Sequence, residues 1–134
     1  MNDPRTIDAM LKAKTIAVVG LSDNPAKASF GVSQYMQRAG YRIVPINPAV
    51  DTVLGEKSYA SLAELPFKPD VVNVFRLPKA IPAIVDEMIA LGLTSLWVQL
   101  GIVNEDAAEK AEAAGIAVVM DHCIKVEHHF RGGR

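Results

Sequence analysis

The residues with the clearest chemical capacity lie in one stretch, Gly20-Leu21-Ser22-Asp23-Asn24-Pro25-Ala26-Lys27-Ala28-Ser29. It combines a glycine, two hydroxyls, a lysine and the expected start of a helix. That set can hold a phosphate, because hydroxyl and amide donors, a cation and the positive end of a helix dipole all favour an anion. The spacing departs from the dinucleotide fingerprint Gly-x-Gly-x-x-Gly. Gly20, Ser22 and Pro25 occupy the three glycine positions, and the loop delays the helix to about Ser29, which is expected to cap it. A tight turn at Gly20 and local caps at Ser22 and Ser29 account for the same residues without a ligand. The loop alone does not decide between these readings.

The other reactive side chains are poorer in pattern. Cys123 follows Asp121 and His122, but consecutive residues on an extended chain point in different directions. Catalytic groups in a triad are brought together by the fold rather than by adjacency. Cys123 is therefore read as a half-buried, small apolar residue, with one chemical alternative, a mixed disulfide with a thiol ligand. His128 and His129 are adjacent and diverge by about 100° on a helix. Together with His122 they offer too few ligands for zinc, so no metal is expected and the histidines are read as solvent-facing. Glu105, Asp106 and Glu109 fall at the start of a helix, where they favour its dipole and face water. No nucleophile–base pair and no carboxylate pair emerges, and the chain is not expected to be an enzyme.

The elements that position these residues follow from the hydrophobic pattern. Asn2 or Asp3 caps a helix with Pro4 in its first turn, running to about Lys14. Continuous apolar runs at 15–20, 41–46, 70–75, 94–98 and 116–120 suit strands buried on both faces of a parallel sheet. Between them lie helical patterns from Ser29 to Gly40, over 78–91 with Ile81, Ile84, Val85, Met88 and Ile89 inward, and over 104–114 capped by Asn104. Residues 49–69 read as loop with a short helix near 61–65. A last helix is expected over 124–130, before a flexible tail over 131–134. Trp97 reads as core. Alternating strands and helices require right-handed crossovers. The fold class is α/β, a three-layer Rossmann-like fold with a five-stranded parallel sheet, in one domain spanning 1–134.

In such sheets ligands sit beyond the carboxyl ends of the strands, where the chain order reverses. That selects residues 20–29, 47–48, 76–78, 99–102 and 121–123. A NAD-binding domain normally ends its second strand on an acid that grips the ribose. Here the strand ends Pro45-Ile46-Asn47-Pro48, with no carboxylate before Asp51, which disfavours NAD. An adenine fits against Pro48 and the Phe75-Arg76 turn, with Arg76 stacking or meeting a phosphate.

Composition narrows the partners. Of 134 residues, 50 % are hydrophobic and 22 % charged, and 14 basic against 15 acidic residues give a net charge of −1. No basic excess is available to displace counterions from a nucleic acid. The single cysteine excludes an internal disulfide. The N-terminus lacks a signal pattern, and the apolar runs fall far short of the roughly 20 residues that span a bilayer. The expectation is a soluble cytoplasmic protein with a small-molecule ligand, no nucleic-acid or membrane partner, and spare helix surface for a homo-oligomer or a protein partner.

The sequence resembles the small CoA-binding-domain proteins, which look like a free-standing version of the amino-terminal domain of the succinyl-CoA synthetase α-subunit. The resemblance rests on Ile16-Ala17-Val18-Val19-Gly20-Leu21-Ser22, Pro25-Ala26-Lys27-Ala28-Ser29, Val44-Pro45-Ile46-Asn47-Pro48 and Gly55-Glu56-Lys57-Ser58-Tyr59. It continues through Val74-Phe75-Arg76, Trp97-Val98-Gln99-Leu100-Gly101 and 121–128. It implies coenzyme A as the ligand. Gly20, Ser22, Lys27 and Ser29 would meet phosphates. Asn47, Pro48, Phe75, Arg76 and Pro78 would line the nucleotide, and Gln99 and Gly101 would approach the pantetheine arm. Lys79 departs from the basic-then-acidic pattern of the family at that turn. The synthetase's phosphohistidine lies in a further domain, so its ligase reaction is not implied. The alternative on the same fold is a NAD(H)-responsive domain or small oxidoreductase.

Overall fold

The computed structural model describes residues 1–131; the end of the expected flexible tail, 132–134, lies outside the described residues. A helix α1 (Pro4–Leu11) precedes β1 (Thr15–Val19), α2 (Ala28–Arg38) and β2 (Arg42–Ile46). A small hairpin of β3 (Thr52–Val53) and β4 (Glu56–Lys57) and a 3-10 turn at Leu62–Glu64 lead to β5 (Val71–Val74). A second 3-10 turn at Pro78–Ala80 opens α3 (Ile81–Leu91), and β6 (Ser95–Val98), α4 (Glu105–Ala113), β7 (Ala117–Met120) and α5 (Ile124–Phe130) complete the chain.

The main sheet has the order β2-β1-β5-β6-β7, and every pairing is parallel. The chain therefore moves outward from β1 to β2, then returns across β1 to build the other half. The reversal lies between β1 and β5. Successive strand residues face opposite sides, and the core divides accordingly. Ala17, Val19, Val72, Val74, Leu96 and Val98 pack with Ile81, Val85 and Met88 of α3 and Ala107, Ala108 and Ala111 of α4. Ile16, Val18, Val71, Trp97 and Val119 pack on the other face with α1, Met36 of α2 and Ile124 of α5. This is the three-layer α/β architecture that the strand–helix alternation implies. Among the described residues, no helix is long and apolar enough to cross a membrane.

Several local expectations need correction. Helix α1 stops at Leu11, short of Lys14, with Lys12 as its C-cap. Ser29 is not the cap of α2: Lys27 holds that position, without a side-chain hydrogen bond, and Ser29 lies buried in the first turn. The region 49–69 contains the β3–β4 hairpin, which turns on Leu54 and Gly55 at positive φ. Ile89 is not core but 42 % exposed. His128 is not solvent-facing: it is buried beneath α2, with Nδ1 2.9 Å from the Tyr35 hydroxyl and its ring edge-on to Tyr35 and Tyr41.

Candidate functional site

The carboxyl edge of the sheet is where the predicted residues converge, and Gly20 sits at its centre. Its backbone adopts φ +88, and a Cβ built there would collide with the Phe75 carbonyl oxygen and lie 3.0 Å from Arg76 Cδ. Glycine is required because the turns after β1 and β5 approach each other across the reversal point. The Gly20 amide donates to Ile46 O at 2.9 Å, and the Phe75 amide donates to Val19 O at 2.9 Å. Three strand ends are thus fastened around one glycine, with the Arg76 guanidinium carried on an exposed turn beside it.

The loop from Leu21 to Lys27 is ordered by its own polar side chains. The Ser22 amide donates to Ser29 Oγ, the Asn24 amide to Ser22 Oγ, each at 3.0 Å, and the Ala26 amide to Asn24 Oδ1 at 2.9 Å. Both serines accept in these bonds, which leaves each hydroxyl hydrogen available to a ligand. The Ala28 and Ser29 amides at the start of α2 have no acceptor within the described residues. Lys27 is exposed beside them. Two hydroxyls, two free amides, a helix dipole, Lys27 and Arg76 form a donor set suited to phosphate groups.

The end of β2 behaves differently. Asn47 Nδ2 donates to Leu21 O at 3.0 Å, and its Oδ1 accepts the Ala49 amide at 2.9 Å. Asn47 therefore braces the phosphate-loop candidate against β2, and Pro48 stands exposed next to it. The first carboxylate after the strand, Asp51, accepts the Ser58 amide only through its backbone oxygen, at 2.9 Å.

On the far side of the reversal, Gln99 is almost fully buried at the end of β6, and its Oε1 accepts the Ile124 amide at 3.1 Å. The Trp97 indole donates to His122 O at 2.8 Å. These two bonds draw the turn before α5, with half-buried Cys123, back over β6. The Gly101 amide donates to Asp121 Oδ1 at 2.7 Å, with Gly101 at φ +85 and Asp121 itself at φ +63. Pro78 O accepts from Asn104 Nδ2 at 3.0 Å.

Ser22 with Ser29, and Gly20 with Phe75 and Arg76, are therefore brought together directly. Lys27 and Pro48 stand exposed on the same edge. Sequence reasoning did not find the bracing roles of Asn104 and Asp121, nor Asn73. Asn73 lies in the centre of β5, with Oδ1 buried and unpartnered; a lone amide in an otherwise apolar strand is the signal that could have found it. Among the described residues no group of histidine, cysteine or acidic side chains is placed to hold a metal ion.

Comparison with known proteins gives a consistent result. Residues 14–129 match the family described as CoA binding domain. The chain is 44 % identical over 121 residues to the protein YneT of Bacillus subtilis, covering 90 % of each chain. It is 26 % identical over 101 residues to the ADP-forming acetate–CoA ligase II of Archaeoglobus fulgidus, covering 74 % of this chain and 15 % of the ligase. Among solved structures, a Thermus thermophilus protein superposes with a TM-score of 0.89 at 38 % identity, covering 97 % of this chain and 98 % of the other. A Pyrococcus horikoshii protein does so with a TM-score of 0.90 at 33 % identity, covering 97 % and 92 %.

Proposed function

The chain belongs to the CoA-binding domain family, and from that premise we propose that it binds coenzyme A or an acyl-CoA as a cytoplasmic carrier, sensor or regulatory module. The observation that carries this reading is the donor set around Gly20. The free Ala28 and Ser29 amides, the Ser22 hydroxyl, Lys27 and Arg76 surround the reversal between β1 and β5. Coenzyme A, when bound, supplies a thiol that carries acyl groups as thioesters.

In this reading Gly20 lets the backbone pass close to the diphosphate. Ser22 and Ser29 donate their hydroxyl hydrogens, and Lys27 and Arg76 meet phosphate charge. Asn47 keeps the loop in register, while Pro48 and Phe75 flank the adenine, and Pro78 closes the nucleotide side. Gln99 and Gly101 lie towards the pantetheine arm. The missing carboxylate at the end of β2, and an Asn47 side chain already engaged within the protein, favour this ligand over NAD(H).

Two measurements test the proposal. Denaturing the purified protein and identifying released nucleotide by mass spectrometry should yield a CoA species. In thermal unfolding, coenzyme A at 100 times its Kd should add about 2.7 kcal/mol of stability, whereas NADH should add none. No shift with millimolar coenzyme A, or a larger shift with NADH, would overturn the reading.

A further inference from the structure

The described residues include seven large hydrophobic side chains that remain exposed, and three of them lie on the turns that leave the carboxyl ends of the neighbouring strands β5 and β6. Leu77 and Leu100 are each 66 % exposed and Val103 is 45 % exposed, whereas Met1, Ile89, Val126 and Phe130 belong to other parts of the fold. Asn104 Nδ2 on Pro78 O, at 3.0 Å, fastens the turn bearing Leu77 to the one bearing Val103. The Ile102 amide closes the second turn on Gln99 O at 3.2 Å, carrying Leu100 and Gly101 outward. A Cβ added to Gly101 would meet nothing within 4 Å, so the space above this turn is open. From Gln99 to Val103 the sequence carries no charge.

We infer that Leu77, Leu100 and Val103 form a bed for the aliphatic acyl group of an acyl-CoA. The inference rests on the proposed coenzyme site and names the form of the coenzyme it prefers. In doubly wound sheets the diphosphate lies at the first turn and the adenosine half at the end of the second strand. The remainder of the ligand then runs the opposite way, across β5 towards β6, and its thiol end arrives at Gln99. An aliphatic chain attached there meets the two leucines and the valine, and its burial removes apolar surface of both ligand and protein from water. Ser22 and Lys27 lie on the β1 turn and take no part in this bed, while Arg76 directly precedes Leu77 and marks its polar border towards the proposed phosphate site.

The test compares dissociation constants for coenzyme A, acetyl-CoA and octanoyl-CoA by calorimetry, in the native chain and in the double variant Leu77→Ser/Leu100→Ser. In the native chain octanoyl-CoA should bind at least about tenfold tighter than coenzyme A, the worth of roughly two buried methylenes. Acetyl-CoA should fall between them. In the double variant octanoyl-CoA should fall back to the affinity of coenzyme A. The affinity for coenzyme A itself should be unchanged, which also reports that the variant is folded. Equal native affinities for coenzyme A and octanoyl-CoA overturn the acyl bed while leaving the coenzyme site intact, and so does a preference that survives the double substitution. A self-association that the double variant abolishes, with no acyl preference, gives the patch to a second copy of the chain and overturns the acyl bed. Failure of every CoA species to bind overturns the coenzyme reading, and the bed with it.

Discussion

The two ends of the parallel sheet differ in what they leave unsatisfied. At the amino edge a groove of about 710 Å³ is lined by residues including Asp3, Arg5, Lys12, Lys14, Asp70 and Ser95. Its carboxylates are used internally: Asp70 Oδ2 accepts the Lys14 and Thr15 amides, each at 3.0 Å, and Asp3 accepts the Arg5 amide at 2.8 Å, while Lys12 and Lys14 stand exposed along it. At the carboxyl edge, the Ala28 and Ser29 amides and the serine hydroxyl hydrogens have no such partners. Helices α2 to α5 each follow a strand and so begin at the carboxyl edge, presenting positive dipole ends, while the chain returns through Gly40, Gly92 and Gly115 at positive φ to the amino edge. The groove at the amino edge thus offers side-chain cations, whereas the carboxyl edge offers unpaired backbone amides and hydroxyl hydrogens. Unpaired backbone amides and helix dipole ends favour an anion at the carboxyl edge, the edge to which the proposal assigns the ligand.

The carboxyl edge is most sensitive to substitution at Gly20. Replacing it with alanine puts a Cβ against the Phe75 carbonyl at a positive φ, so that strain and overpacking together should cost about 3 kcal/mol. A urea titration should show a lower midpoint, and coenzyme A affinity should be lost beyond what the lower stability explains. Unchanged stability would mean that the close approach of the two turns is not rigid.

Removing a cation acts on the ligand and not on the fold. Lys27→Ala should weaken coenzyme A binding by about tenfold at low salt, with little change in unfolding midpoint. The loss should shrink as added salt shortens the Debye length from about 30 Å at 0.01 M to about 3 Å at 1 M. Equilibrium dialysis at the two salt concentrations checks this. A salt-independent loss would point to a distorted loop in place of a missing charge.

At the amino edge the pattern should invert. Asp70→Ala leaves the Lys14 and Thr15 amides without their acceptor, at a cost of about 1–2 kcal/mol. Coenzyme A affinity should not change. A variant of unchanged stability with impaired binding would reverse the roles assigned to the two edges.

How much of this contrast was legible in the sequence depends on whether the signal was local. The strands were, because apolar runs such as Val71–Val74 are buried whatever packs on them. The Asn104 cap was also legible, since its Oδ1 accepts the Ala107 amide three residues ahead. The order of the sheet, with its reversal between β1 and β5, was legible from the alternation of strands and helices. The role of Ser29 was misread because its hydroxyl is claimed by an amide seven residues earlier, a contact that no local capping rule contains. His128 was misread for a similar reason: its burial is set by Tyr35 of α2, 93 positions away. The β3–β4 hairpin was missed because its strands are two residues long and show no alternation. The hydrogen bond from Asn47 Nδ2 to Leu21 O was not legible, because only the docking of β2 beside β1 creates it.

The smallest effect belongs to Asp3, which caps α1 at the rim of the amino-edge groove. The Arg5 amide donating to its carboxylate, helped by the Arg5 side chain, holds the Asp3 carboxyl below its ordinary value. A carboxyl whose folded pKa is lowered stabilises the fold above its ordinary titration range, and loses that contribution as the pH falls through the lowered value. Asp3→Ala should therefore unfold at a slightly lower temperature than the native chain at neutral pH, with the gap narrowing as the solution is acidified through the carboxylate range. Coenzyme A affinity at neutral pH should be the same in both, because the capped helix end lies at the opposite edge of the sheet from the proposed site. A gap that is constant with pH would mean that the cap works through chain geometry and not through its charge. A change in coenzyme affinity would couple the two edges, which nothing in their separate hydrogen bonding requires.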